Sequence, residues 1–169
     1  GPIDSGIVSA LEDQFEKETG IRVRHVGAGT GAALKLATKC QIDLVMAHAK
    51  SLEEKFIADG YGTERIPLMY NDFVIVGPAS DPAAIKGEKS ATASLKKIME
   101  KKGKFISRGD KSGTHMAEME LWQKAGLKPE GEWYVVYEKG AEGNVATLKY
   151  TDQQAAYTVI DRATYLSLK

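Results

Sequence analysis

The residues best equipped for chemistry lie in the run Ser107-Arg108-Gly109-Asp110-Lys111-Ser112-Gly113-Thr114, between a strand expected at 104–107 and a helix expected at 114–124. A helix start leaves about four backbone N–H groups without intrahelical partners and carries about half a positive charge. Hydroxyls, one guanidinium and two glycines gather at this start, and glycine lets a ligand approach the backbone closely. That is the donor chemistry of an anion site. The same residues also suit an N-cap in a solvated turn, because Ser, Asp and Thr are common caps. Local chemistry leaves both readings open.

Two further helix starts are built alike. Gly27-Ala28-Gly29-Thr30-Gly31-Ala32 follows a strand expected at 21–26 and offers backbone N–H groups and the Thr30 hydroxyl. It fits neither G-x-G-x-x-G nor the P-loop, so nucleotide binding has little support and a tight turn is the simpler reading. Asp4-Ser5-Gly6 taken alone is a cap for a helix at 6–18. In open α/β sheets, ligands sit at the carboxyl ends of strands, where such loops converge.

Other candidates have plain explanations. Tyr70-Asn71-Asp72-Phe73 reads as a turn or a crossover between lobes. His25, His48 and His115 show no metal-ligand spacing, although His115 lies close to the Ser-Gly-Thr turn. One cysteine, Cys40, excludes an intrachain disulfide and a Cys-based zinc cluster. Arg108-Gly109-Asp110 reads as loop chemistry rather than an adhesion signal. Glu53-Glu54 and Glu118 with Glu120 read as solvated helix faces. No G-x-S-x-G elbow or His-centred triad is visible, so nothing supports an enzyme.

The elements that must position these loops alternate along the chain. Ile7, Leu11 and Phe15 predict one helix face, stopped by Gly20. Strands are expected at 21–26 and 43–47, with a short helix through Leu34, Leu36 and Ala37 between them. Ser51 and Glu54 suggest a capping box for a helix ending at Gly60. Residues 65–70 and 72–76 look extended, and Gly77, Pro78, Asp81 and Pro82 break the chain. A second series follows, with a helix at 91–102, the strand and helix around the Arg108 loop, and an extended run at 133–137. A helix at 142–150, a strand at 156–160 and a last helix capped by Asp161 complete it. Met116, Met119 and Trp122 are spaced for burial on their helix. Such alternation predicts an α/β architecture with mainly parallel sheets.

The 169 residues are 43% hydrophobic and 27% charged, which excludes a disordered chain. Lys and Arg total 23 and Asp and Glu total 23, without the basic excess of a nucleic-acid binder. No apolar run approaches the ~20 residues that span a bilayer. The start Gly1-Pro2 carries no leader pattern, as expected of a mature or trimmed chain.

Several runs together resemble the tungstate-binding periplasmic proteins of ABC transporters. They are Glu16-Lys-Glu-Thr-Gly-Ile-Arg-Val23, Gly29-Thr-Gly31, Ala33-Leu-Lys-Leu36 and Glu54-Lys-Phe-Ile-Ala-Asp-Gly-Tyr-Gly62. Met69-Tyr-Asn-Asp-Phe-Val-Ile-Val-Gly-Pro78 and Ser107-Arg-Gly-Asp-Lys-Ser-Gly-Thr114 carry the most specific match. Leu121-Trp122, Trp133-Tyr134, Ala156-Tyr157 and Asp161-Arg162-Ala-Thr-Tyr165 fit as well.

The resemblance implies a two-lobed periplasmic-binding-protein-like fold of type 2, with lobes at 1–72 and 73–160 and a hinge-return helix at 161–169. It implies a tetrahedral oxyanion, tungstate or molybdate, in the cleft between lobes, and neither cofactor, metal nor catalysis. Carried over by motif, the anion donors are Arg108, Ser107, Ser112, Gly113 and Thr114, with Thr30, Gly31 and Ser5 from the first lobe. The implied partner is a membrane permease, and the implied location is periplasmic or extracellular. The sequence departs from the family in three places. Only Gly1-Pro2-Ile3 precede Asp4-Ser5-Gly6, without the family's hydroxyl-rich turn. The chain stops soon after Asp161-Arg162-Ala163-Thr164-Tyr165, where Ala163 replaces a glycine. Lys139-Gly-Ala-Glu-Gly143 brings Glu142, a repulsive charge, toward the anion. The first lobe is therefore expected to be incomplete, with sheet edge and apolar face exposed and homo-oligomerisation favoured. Alternative readings are a ligand-sensing domain of a regulator, an enzyme using Cys40 or His115, and a homologue that no longer binds oxyanion.

Overall fold

In the unit Gly6–Tyr70, helix signals become helices and strand signals do not become sheet. The computed structural model describes residues 2, 3 and 5–169; Asp4, a proposed cap, lies outside the described residues. Helix α1 (Ile7–Thr19) starts from Gly6 without a side-chain cap and ends at Gly20, whose N–H reaches Glu16 O at 2.8 Å. Ser5 does not cap it, because its hydroxyl donates to Pro2 O at 3.0 Å. Ile7, Leu11 and Phe15 do share a face, but that face is 43–51% exposed, and Val8 is the buried residue of the helix.

Helices α2 (Thr30–Thr38) and α3 (Lys50–Ala58) follow. The expected capping box is not formed: Ala49 is the N-cap of α3, so Ser51 already lies within its first turn. Residues 21–26, 43–47 and 65–70 pair with no strand among the described residues. Alternating side chains alone do not make a strand, because the ladder must come from a neighbouring chain segment. Side chains tether two of these runs instead, through His25 Nδ1 to Glu12 at 2.9 Å and Arg65 Nε to Glu53 at 2.6 Å.

The second unit comprises Asn71–Lys169 with Pro2, Ile3 and Ser5. Here β1 (Phe73–Val76), α4 (Ala91–Glu100), β2 (Phe105–Ser107), α5 (Gly113–Lys124) and β3 (Tyr134–Val136) succeed one another. A short 3-10 turn (Gly140–Glu142), α6 (Asn144–Gln153), β4 (Thr158–Asp161) and α7 (Arg162–Ser167) complete the unit. Strands β1 and β4 pair antiparallel, Phe73 opposite Asp161, while β2 and β3 pair parallel, Phe105 opposite Tyr134. A parallel bridge from Phe105 to Tyr157 joins the two pairs. The expected parallel character thus holds for β2 with β3 and for the Phe105–Tyr157 bridge, and not for β1 with β4. Arg162 closes that antiparallel pair by gripping Asp72 with Nε and Nη2, at 2.6–2.9 Å.

Ala83, Leu95, Ile98, Phe105, Trp122, Tyr157 and Val159 form the core. Phe105 and Trp122 meet edge to face at 5.3 Å, a geometry that adds to simple area burial. Helix α5 is turned differently from the sequence expectation. Thr114, Glu118 and Trp122 point inward at i, i+4 and i+8, and Met116 and Met119 are 51% and 40% exposed. A second pin is Tyr157, whose hydroxyl donates to Asp81 Oδ1 at 2.8 Å and accepts from Ala83 N at 2.9 Å. Its ring lies so close to Gly77 that a Cβ there would come within 2.2 Å of it, and one at Gly103 within 3.0 Å.

Candidate functional site

The loop between β2 and α5 turns sharply because two of its residues adopt left-handed backbone, Gly109 with φ 63° and Lys111 with φ 58°. Gly109 also lies against β3, where an added Cβ would fall 2.2 Å from Val136 Cγ1. Ser112 is the N-cap of α5 and its Oγ accepts from His115 N at 3.3 Å. His115 turns back over the loop, and its Nδ1 accepts from Lys111 N at 3.0 Å. The N–H groups of Gly113 and Thr114 open the helix, where geometry provides them no intrahelical carbonyl.

Arg108 is held on three sides. Nη2 donates to Asp110 Oδ2 at 2.6 Å, Nη1 to Asn144 Oδ1 at 2.5 Å, and Nε to Gly140 O at 3.2 Å. Its side chain is 11% exposed, so this guanidinium is weakly screened. The close approach of the 3-10 turn requires glycine, because a Cβ on Gly140 would sit 1.9 Å from Arg108 O. Asp110 Oδ1 in turn accepts from Ser112 Oγ at 2.6 Å and Ser112 N at 3.2 Å. Burial pushes the Asp110 carboxyl up, but the Ser112 bonds and the Arg108 charge outweigh it, and its pKa lies below the ordinary value.

Asn144 is the junction of the site. Its Oδ1 accepts from Arg108 and from Thr114 Oγ1 at 3.0 Å, and its Nδ2 donates to Asp161 Oδ1 at 2.5 Å. Asp161 Oδ2 caps α7 by accepting from Thr164 N at 2.9 Å. One polar chain therefore runs from the Arg108 loop through the start of α6 to the end of β4. Burial raises the Asp161 pKa, yet the bonds from Thr164 and Asn144 bring it below the usual carboxylate value.

Behind the loop, Glu118 is only 2% exposed, which corrects the reading of it as a solvated face. Oε1 accepts from Tyr134 Oη at 2.6 Å and Trp122 Nε1 at 3.2 Å. Desolvation pushes its carboxyl pKa up, and burial beside that carboxylate pushes the Tyr134 phenol up too. Ser107 Oγ lies near this pair, fully buried and without a hydrogen-bond partner.

Of the residues named from sequence, Arg108, Ser112, Gly113 and Thr114 come together at the start of α5. Ser107 faces inward toward Glu118 and Tyr134. Ser5 bonds its own turn. Thr30 and Gly31 open α2 in the unit Gly6–Tyr70, with Gly29 as N-cap. Glu142 is exposed on the 3-10 turn and takes no part in the Arg108 bonds. Local sequence gives Asn144 and Gly140 no site role; both join the site through contacts with Arg108 that only the fold creates. Among the described residues, no group of three or more His, Cys, Asp or Glu could hold a metal ion, and no helix is long and apolar enough to cross a membrane.

The fold is of the periplasmic-binding-protein type. The chain belongs to that family, since the PBP superfamily domain matches residues 1–169. It is 48% identical, over 98% of its length, to the tungstate-binding protein TupA of Peptoclostridium acidaminophilum, of which it spans 58%. The chain thus covers a little under three fifths of that relative. It is also similar to the tungstate ABC transporter structure from Geobacter sulfurreducens, at TM-score 0.85 and 46% identity, covering 98% of this chain and 70% of that one. The tungstate-binding protein TupA from Desulfovibrio alaskensis G20 gives TM-score 0.82 and 40% identity, with 98% and 65% covered.

Proposed function

We propose that this chain is the oxyanion-binding part of an extracytoplasmic solute receptor, taking tungstate or molybdate and delivering it to an ABC transporter permease. One observation carries the reading: a weakly screened guanidinium, the Ser112 and Thr114 hydroxyls and the open N–H groups of α5 converge at one helix start. A dianion removed from water needs charge-assisted and neutral hydrogen bonds to offset its lost hydration. Arg108 supplies the full charge; Ser112, Gly113 and Thr114 supply neutral donors. The names of the relatives support the same ligand class. Thr30 and Gly31 are proposed donors on the family pattern, at the α2 start.

Calorimetric titration with tungstate, then molybdate and sulfate, tests the reading. One-to-one binding of tungstate that is lost in Arg108→Ala is expected. Equal affinity in the wild type and Arg108→Ala removes this loop from the site. No heat with any oxyanion from the folded chain refutes the receptor reading.

A further inference from the structure

Asp110 already occupies donors that an oxyanion would use. Its two carboxylate oxygens accept from Arg108 Nη2 at 2.6 Å, Ser112 Oγ at 2.6 Å and Ser112 N at 3.2 Å. This is a guanidinium, a hydroxyl and a backbone N–H at the positive end of a helix, the donor set that suits any compact oxygen anion. A carboxylate presents two oxygens sharing one negative charge, so it satisfies these donors as one edge of a tetrahedral oxyanion does. The Arg108 and Asp110 side chains are 11% and 13% exposed, and water offers them little competition.

We propose that Asp110 is a tethered competitor for the oxyanion: its carboxylate stands in the Arg108–Ser112 donor set, and an incoming anion gains those donors only as Asp110 releases them. The inference rests on the oxyanion reading of this loop. A simple alternative assigns Asp110 the opposite role, of holding Arg108 in place for the ligand. Arg108 does not depend on Asp110 alone, because Asn144 Oδ1 and Gly140 O also hold it. The two roles therefore predict opposite signs when the carboxylate is removed.

The test uses Asp110→Asn and Asp110→Ala in the full chain, with far-UV circular dichroism confirming the fold. In Asp110→Asn the side-chain oxygen can still accept from Ser112, while the amide nitrogen in the place of Oδ2 cannot accept from Arg108 Nη2, so that hydrogen bond goes together with the charge that neutralises Arg108. Tungstate affinity is expected to rise about tenfold or more in Asp110→Asn, the size of one charge-assisted hydrogen bond no longer displaced. Most of the gain is expected in the association rate measured by stopped flow. In Asp110→Ala, added formate replaces the missing carboxylate and is expected to compete with tungstate, at concentrations without effect on the wild type.

Weaker or unchanged tungstate binding in Asp110→Asn, with wild-type binding intact and Arg108→Ala inactive, overturns this inference alone. If only Asp110→Ala folds, absence of formate competition overturns it. If neither the wild type nor Asp110→Asn binds tungstate, or if Arg108→Ala binds as the wild type does, the oxyanion reading fails and this inference fails with it.

Discussion

Replacing Asn144 by alanine removes one amide and three hydrogen bonds: those from Arg108 Nη1 and Thr114 Oγ1, and the one to Asp161 Oδ1. Two of the partners are charged, and a bond to a charged group contributes about 1.5–3 kcal/mol, against about 1 kcal/mol for a neutral one. The full sum overstates the loss. Arg108 keeps Asp110 and Gly140 O, and Asp161 keeps Thr164 N, so neither charge is left without a partner. The alanine leaves a polar space that water can enter. A loss of about 2–4 kcal/mol follows, near one charged bond plus one neutral bond. Urea unfolding followed by tryptophan fluorescence is the assay, because Trp122 and Trp133 both lie in the unit Asn71–Lys169. With a urea slope of about 1–3 kcal/mol per molar, the midpoint falls by about 0.7–4 M. A fall below about 0.3 M, at unchanged slope, refutes the claim that Asn144 is the junction. Asn144→Asp is a useful companion. It loses the donor to Asp161 and sets two carboxylates together, so it destabilises at neutral pH and recovers on acidification.

Glu118→Gln tests the buried carboxyl behind the loop. Its folded pKa is raised, so below the ordinary glutamate value it causes no loss; the loss appears as pH rises through the ordinary value to the folded one and persists above. Thermal midpoints of Glu118→Gln and the wild type are therefore expected to agree in acid and to separate in favour of the variant at neutral pH; a difference independent of pH contradicts the argument. Tyr157→Phe leaves the buried Ala83 N–H without its acceptor and is expected to lose about 1–3 kcal/mol by chemical denaturation; wild-type stability would show that water replaces the phenol. Gly140→Ala places a Cβ 1.9 Å from Arg108 O and is expected to reduce stability by about 1–3 kcal/mol or more while weakening tungstate binding; an unaltered titration would mean that the turn moves freely.

Short-range signals were legible in part, since the caps expected of Ser5 and of Ser51 with Glu54 do not form, and long-range ones were not legible. The cap at Asp161 and the stop at Gly20 depend on neighbours in the chain and form as read, and within the Arg108 loop the cap falls to Ser112. The runs 21–26, 43–47 and 65–70 have strand-like side chains, but pairing depends on a partner that alternation does not specify. The Arg108 loop was visible because glycines, hydroxyls and a guanidinium cluster along eight successive positions, Ser107 to Thr114. Asn144 was hidden because it lies 36 residues from Arg108 and 30 from Thr114, and meets them only in the folded unit. Glu118 misled for a related reason: a carboxylate on a helix looks solvated until the phenol of Tyr134 and the indole of Trp122 cover it.

Tyr157 binds the histories of three positions together. Its ring fills the space that side chains at Gly77 and Gly103 would need, and its hydroxyl ties down the segment at Asp81 and Ala83. A lineage cannot gain alanine at 77 while it keeps tyrosine at 157. It must first shrink residue 157, and in doing so it releases the segment that the phenol had fastened. Substitutions at 77 and 157 should therefore arrive in a fixed order, with Gly77 changing only in descendants that have already lost the ring, whereas a Cβ at Gly103, 3.0 Å from the ring, asks only a small shift of it.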